Sequence, residues 1–296
     1  MPAFPTSGNA WSSLTRLSAS IWRFCGGQGD RRIDDGGKST DLSDYLMNSF
    51  ARLYPNSRAA VAMAATMPIV RLDGVKKTYK LGEVDIPALI DVDVSIRRGD
   101  FISFVGPSGS GKTTMMNMVG LVDTPTSGTV YLGGKNMTEA PDRERTDARH
   151  RFLGFIFQTF NLMPILNIFE NIEMPLLIGR EVPTKAERKE RVNRLIAEVG
   201  LERWTKHKPA ELSGGQRQRV AIARALITQP LLVLADEPTA NLDSNTGEMI
   251  LDLMKKVNRE YGTTFIFSTH DTVIRDMADH VIQLKDGRIV HDNLAG

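Results

Sequence analysis

Cysteine is nearly absent: the 296 residues hold one, Cys25. A lone thiol forms no internal disulfide, so the fold does not rest on oxidation, and a reducing compartment is expected. Long apolar runs are missing too. Nothing approaches the roughly 18 to 20 consecutive apolar residues that cross a bilayer. The nearest stretches are Phe101 to Val105, Leu231 to Ala235, and Ala59 to Val70, which Thr66 and Pro68 interrupt. No transmembrane segment of the chain's own is expected, so work at a membrane would need another chain to cross it. A surplus of charge is also lacking. The net charge is +2, and all of it lies in residues 1–66, which carry seven Lys/Arg against five Asp. Residues 67–296 balance 30 basic against 30 acidic side chains. Nucleic-acid binders usually carry a basic excess, so no nucleic-acid partner is expected. What remains, 41% hydrophobic and 24% charged residues, is the composition of a soluble globular protein with a real core. It excludes collagen-like, disulfide-scaffold and wholly disordered chains.

The chain divides near residue 67. Before Asp30 there is no acidic residue, while Ser7, Ser12, Ser13, Ser18 and Ser20 cluster with Arg16 and Arg23. Gly26-Gly27-Gln28-Gly29 and a polar stretch follow, and Asp41 to Tyr54 has the spacing of a short amphipathic helix. Residues 1–66 thus read as a disordered or weakly helical extension, as an organelle-targeting peptide, or as a start called too early, since Met63 and Met67 precede the patterned region. A chain beginning at Met67 is expected to keep its fold.

From Ile69 the pattern becomes regular. Ile69 to Leu72 and Leu89 to Ile96 alternate apolar and polar in places, as strands of an antiparallel edge layer do. Phe101 to Val105, Leu231 to Ala235 and Thr264 to Ser268 are short apolar runs typical of buried parallel strands. Helices lie between them. Thr184-Lys185-Ala186-Glu187 has capping-box spacing, Val192, Leu195, Ile196 and Val199 follow at helical intervals, and Gly200 ends the helix. The expected class is α/β, with a mainly parallel core sheet.

Gly106-Pro107-Ser108-Gly109-Ser110-Gly111-Lys112-Thr113 fits the Gly-x-x-x-x-Gly-Lys-Ser/Thr phosphate loop. It follows an expected strand and opens an expected helix, Thr113 to Leu121. Glycines let successive N–H groups turn inward on phosphates, and the helix N-terminus adds partial positive charge. Lys112 brings a point charge to the β/γ oxygens, and the Thr113 hydroxyl suits Mg²⁺. The strand Leu231 to Ala235 ends in Asp236-Glu237. Beside a phosphate loop, Asp236 fits an Mg²⁺ ligand and Glu237 fits the base that orients or deprotonates the attacking water.

Leu212-Ser213-Gly214-Gly215-Gln216 then precedes an Arg- and Ala-rich helix. Ser213 can cap that helix, and two glycines let a ligand approach its N-terminus. With this segment the sequence resembles the nucleotide-binding subunit of an ATP-binding cassette (ABC) transporter, whose signature Leu212 to Gln216 match. Further motifs stand in the family's order: Tyr79, the adenine-stacking aromatic; Gln158, the glutamine loop that senses the γ-phosphate and Mg²⁺ and touches membrane subunits; Asn241-Leu242-Asp243, the loop at the dimer interface; and His270, the switch histidine. His150, His207, His280 and His291 read as satisfied or surface histidines. Gly82 to Leu89, Phe157 to Leu162 and Ala240 to Asp243 are most similar to the lipoprotein-releasing and macrolide-exporter ATPases, with the cell-division ATPases nearby.

The resemblance covers about residues 68–292 and implies an ABC-type P-loop NTPase with a helical subdomain over roughly 143–226. It implies ATP and Mg²⁺ as cofactors. Nucleotide contacts would come from Tyr79, Gly106, Pro107, Ser108, Gly109, Ser110, Gly111, Lys112, Thr113, Thr114, Asp243 and the partner's copy of Ser213 to Gln216. The metal would sit at Thr113, Gln158 and Asp236, and catalysis would fall to Glu237, His270, Gln158 and Lys112. It implies a homodimer closed by ATP, acting on integral membrane permease subunits from the cytoplasmic face of the plasma or inner membrane, or in an organelle if residues 1–66 are a targeting peptide. A regulatory ATPase signalling through a membrane partner without transport is the alternative. Chromosome-maintenance ATPases share these motifs but insert long coiled-coil arms, and here 100 residues separate Lys112 from Leu212, without heptads.

Overall fold

A computed structural model describes residues 68–179 and 182–294. The extension 1–66, with its Asp41 to Tyr54 segment and the three readings attached to it, lies outside the described residues.

Two sheets carry the fold. The first is antiparallel, in the order β2-β1-β4-β5. It is built from β1 (Val70–Leu81), β2 (Val84–Ile96), β4 (Ser127–Leu132) and β5 (Lys135–Asn136). The second has the order β10-β9-β3-β8-β7-β6. It contains β3 (Phe101–Val105), β6 (Leu153–Ile156), β7 (Leu232–Asp236), β8 (Thr264–Ser268), β9 (His280–Lys285) and β10 (Arg288–Asp292). Every pairing in it is parallel except the β9–β10 hairpin. The expected edge layer is therefore two long strands turning at Gly82-Glu83, and the expected core strands lie within one residue of their sequence ranges.

Seven α-helices join these strands among the described residues: α1 (Lys112–Val119), α2 (Asp142–Phe152), α3 (Ile168–Ile178), α4 (Lys185–Glu198), α5 (Gly214–Leu226), α6 (Ser244–Tyr261) and α7 (Thr272–Met277). Their ends follow local chemistry. Thr184 and Glu187 form the capping box that begins α4, and Gly200 follows its end with φ +68°. Ser213 and Gln216 form the box that begins α5, and Asp243 caps α6.

The apolar faces close three clusters. One packs the antiparallel sheet against α1 and one face of the parallel sheet, through Leu72, Ile96, Phe104 and Met115. The second fills the opposite face, where α5, α6 and α7 cover Phe101, Phe265 and Phe267. Burial on both faces is why β3, β7 and β8 read as unbroken apolar runs. The third lies among α3, α4 and α5, built on Ile172, Val192, Leu195 and Val220. It is a core of helices alone, and α5 belongs to it and to the second cluster at once.

Candidate functional site

The parallel register decides what converges. Phe104 pairs with Ser268, and Ser268 pairs with Asp236. The carboxyl ends of β3, β8 and β7 therefore stop at one level, side by side. The phosphate loop leaves β3 there, Asp236-Glu237 ends β7, and Thr269-His270 follows β8. A crevice outside the carboxyl ends of neighbouring parallel strands is where α/β folds place ligands.

In the loop, Gly106, Gly109 and Gly111 take φ of +152°, +78° and +103°, values that side chains resist. Space forbids a side chain at two of them as well. A Cβ on Gly106 would run into the Leu284 carbonyl oxygen, and one on Gly111 would stand 2.6 Å from Ala88 O. Lys112 Nζ reaches back to Gly106 O (2.7 Å) and Pro107 O (2.9 Å). The ammonium thus sits in the mouth of its own loop, held by carbonyl dipoles. Pro107, Ser108 and Gly109 are exposed, as is Thr113, while Ser110 is buried and Thr114 half-buried.

At the end of β7, Asp236 is half-buried. Burial pushes its carboxyl above the usual carboxylate range and the neighbouring Glu237 adds to this, while a Ser268 hydrogen bond and Lys112 work against it. Glu237 takes φ +45°. Its N–H donates to Ser268 O at 2.9 Å, so the backbone turns sharply and aims the side chain across the strand ends. There Thr269 Oγ1 donates to Glu237 Oε2 at 3.2 Å, and His270 Nδ1 lies 2.8 Å from Oε1. The His270 side chain is 77% exposed and that of Glu237 only 16%. Since a carboxylate only accepts, the proton is assigned to Nδ1, which leaves Nε2 toward solvent.

Tyr79 projects from β1 with its hydroxyl donating to Asp123 Oδ2 at 3.1 Å. Asp123 also accepts from Lys77 Nζ at 2.7 Å, and that ammonium stands 4.9 Å from the Tyr79 ring centroid. Burial acts to raise the Asp123 carboxyl, but hydrogen bonds from Lys77, the Thr124 backbone and Tyr79 outweigh it and hold the group below its ordinary range.

Gln158 is exposed just past β6. Its carbonyl accepts from Asn241 Nδ2 at 2.7 Å. Phe160 and Asn161, at φ +61° and +47°, present their carbonyls to Arg224 of α5 at 2.7 and 2.5 Å. The loop carrying Gln158 is thereby fastened to the helix that begins at Ser213. At that helix start, Ser213 and Gln216 satisfy each other's backbone N–H groups at 3.3 and 2.9 Å. A Cβ on Gly214 would sit 3.3 Å from Asn241 O, and one on Gly215 would strike Thr246. Asp243 is held below its ordinary value by the hydroxyl and N–H of Thr246.

Lys112, Asp236, Glu237 and His270 thus share one crevice. The segment Ser213 to Gln216 makes no hydrogen bond to the phosphate loop among the described residues; its neighbours in this chain are Asn241 and Thr246. Sequence reasoning passed over Thr269, Asp123, Arg224 and Ser268, which touch no motif pattern. The only hints were that Ser268 ends an expected buried strand and that Thr269 follows it.

A phosphate loop on a parallel sheet, with two acids on a nearby strand, defines a P-loop nucleotide-binding protein. The family is then settled by comparison: residues 89–240 match the ABC transporter family model, and the chain belongs to that family. Over 223 residues it is 47% identical to MJ0796 of Methanocaldococcus jannaschii, an uncharacterized ABC transporter ATP-binding protein, covering 75% of this chain and 95% of that one. A solved dimer of MJ0796, in a post-hydrolysis state bound to ADP and Pi, superposes with a TM-score of 0.71 at 46% identity, over 77% of this chain and 99% of that one. The lipoprotein-releasing system ATP-binding protein LolD 1 of Rhodopseudomonas palustris is 41% identical over 75% of this chain and 98% of its own length. The macrolide export ATP-binding/permease protein MacB of Syntrophobacter fumaroxidans is 42% identical over 75% of this chain, which spans 31% of MacB.

Proposed function

We propose that this chain binds and hydrolyses ATP with Mg²⁺ and closes on a second copy of itself around the nucleotide. It drives separate integral membrane permease subunits from the cytoplasmic face of the plasma or inner membrane, in export or in extraction of lipoprotein or lipid. The observation that carries the reading is the single crevice holding Lys112, Asp236, Glu237 and His270 at adjacent strand ends.

Each residue has work suited to its surroundings. The glycine loop offers inward N–H groups to phosphate oxygens. Lys112 exchanges two neutral carbonyl contacts for charge-assisted ones on phosphate, a stronger bond. Tyr79, steadied by Asp123, offers its face to adenine. The donors for Mg²⁺ are the Asp236 carboxylate, the Thr113 hydroxyl and the Gln158 amide oxygen. They are all oxygen, the set a hard cation takes, and a cation offsets the burial that now disfavours the charged Asp236. When bound, Mg²⁺ neutralises charge on the β and γ oxygens. Glu237 takes the proton of the attacking water, and Thr269 and His270 hold its carboxylate in place.

Ser213, Gly214 and Gly215 lie outside their own crevice, so they serve the nucleotide of a second copy, with Asp243 at that boundary. Closure then depends on ATP, which binds the closed state better than the open one. The dimeric MJ0796 cassette supports this arrangement. Within the expected range 143–226, the helices α3, α4 and α5 form the lobe that carries the signature, while α2 and β6 pack with the sheets. Toward the membrane partner, the loop around Gln158 exposes Phe157, Met163 and Ile165, apolar surface suited to a permease contact. Among the described residues no helix is long and apolar enough to cross a membrane. The likeness to LolD and MacB supports export or lipoprotein handling.

Phosphate release from MgATP by the full chain, beside Lys112→Ala, tests the reading. Release lost in the variant is expected. Equal release by both would overturn it.

A further inference from the structure

The C-terminal hairpin β9–β10 lies beyond residues 89–240 and carries none of the motif residues. Its turn nevertheless reaches the phosphate loop. Gly287, buried at φ +75°, donates its N–H to Ser110 O at 3.0 Å and accepts from Ile90 N at 2.8 Å. Three glycines make this contact possible. A Cβ on Gly287 would stand 2.9 Å from Ala88 O, one on Gly111 would stand 2.6 Å from the same oxygen, and one on Gly106 would run into Leu284 O. Loop, edge strand and hairpin therefore touch backbone to backbone.

We infer that Gly287 is a positioning residue for nucleotide binding, acting through the Ser110–Gly111 peptide. The argument is geometric. In a planar trans peptide the C=O of Ser110 and the N–H of Gly111 point in opposite directions. Gly287 N–H holds the Ser110 carbonyl outward, toward the hairpin. The Gly111 N–H is thereby turned inward, toward the space the loop encloses, before any phosphate arrives. A donor fixed in advance costs no ordering on binding. The hairpin is itself pinned at its open end. His280, 1% exposed, sets Nε2 2.8 Å from Asp292 Oδ1, Leu294 N donates to the same oxygen at 2.9 Å, and Val281 N donates to Asn293 Oδ1 at 2.8 Å. The hairpin is thus tied at both ends, to Ser110 and Ile90 at its turn and through Asp292 and Asn293 at its open end.

The inference rests on the phosphate-loop reading above, and the test separates the two. Calorimetric titration of the full chain with ADP and with ATP is run on wild type, Lys112→Ala and Gly287→Ala. The added methyl meets Ala88 O, so it displaces the turn from Ser110. Expected is a Kd for both nucleotides raised about tenfold or more, the scale of one lost hydrogen bond to a charged group. KM for MgATP should rise with it, while kcat at saturation falls less than about twofold, since no group that touches the reacting atoms has moved. A purely structural role would lower the folded fraction and leave the Kd of the folded protein alone; that result overturns the inference. If Gly287→Ala does not fold, hydrogen exchange on wild type decides. The Gly287 amide should exchange slowly and slow further on ADP binding, and exchange at the rate of a free turn with and without ADP overturns the inference. Wild type binding no better than Lys112→Ala would instead sink the phosphate-loop reading.

Discussion

Glu237 and His270 meet at 2.8 Å between Oε1 and Nδ1, within one chain. The contact joins the ends of two adjacent parallel strands, and the left-handed backbone at Glu237 aims the carboxylate along it. Because Thr269 holds the other oxygen, the carboxylate is oriented from two sides.

That orientation makes Glu237→Gln informative. The amide keeps the shape and loses the basicity. ATP binding should persist, and turnover should fall by ~10² to 10⁴. ATP-bound dimer should then accumulate, seen by size-exclusion chromatography with ATP present. Near-normal turnover would remove Glu237 from the role of base.

The proposed site shared between two copies predicts complementation. Ser213→Arg leaves Lys112 and Tyr79 untouched, so a single copy should still bind ATP. Bulk at the helix start should block closure and hydrolysis, and loss of the cap should cost about 1 kcal/mol of stability. Mixed with Lys112→Ala, a heterodimer regains one intact site, so part of the activity should return. Two inactive variants that dimerise yet stay inactive together would count against a site built from both copies.

Ionising Asp236 costs stability. Its carboxyl is raised, first by burial and then by Glu237. A raised folded value means that the ionised form disfavours folding at pH above it. Asp236→Asn should therefore raise the melting temperature of the nucleotide-free protein. The same variant should lose the extra stabilisation that Mg²⁺ gives with ATP. Melting curves with and without MgATP check both signs, and a lower nucleotide-free melting point would refute the first.

Asp123 behaves oppositely. Its carboxyl is held low by Lys77, Thr124 and Tyr79 against the effect of burial. Its stabilisation is fully present above the ordinary carboxylate value and is lost as pH falls through the depressed one. Asp123→Asn should cost about 1 kcal/mol at pH 7, and the gap to wild type should close as the buffer is acidified. Adenine nucleotide affinity should also weaken, because the Tyr79 ring loses its tether. A gap that stays constant across pH would assign the loss to packing instead.

The chemistry of the crevice was legible because its motifs are local. Gly106 to Thr113 needs only neighbouring residues to form a loop, and an apolar run ending in Asp236-Glu237 announces a buried strand with acids at its tip. The capping box at Thr184 and the cap at Ser213 were readable for the same reason: their partners lie three residues away. The strands β4, β6, β9 and β10 were not anticipated, being short or mixed in polarity and defined by their neighbours in the sheet.

By itself the sequence determined the α/β class, the phosphate loop and the acidic strand end, and the order of the motifs. Hydrophobic period and turn chemistry act over a few residues, so they can be read along the chain. Only the tertiary structure decided which of these residues share a crevice. Asp236, Ser268 and Phe104 stand level because parallel strands pair in one register, and no periodicity encodes that register between segments separated by whole helices and loops. The same holds for the buried Gly287 behind the phosphate loop, for Arg224 on the carbonyls of Phe160 and Asn161, and for Asp123 on Tyr79. Each contact spans distant segments and exists only once the cores have closed and brought those backbones within hydrogen-bonding reach.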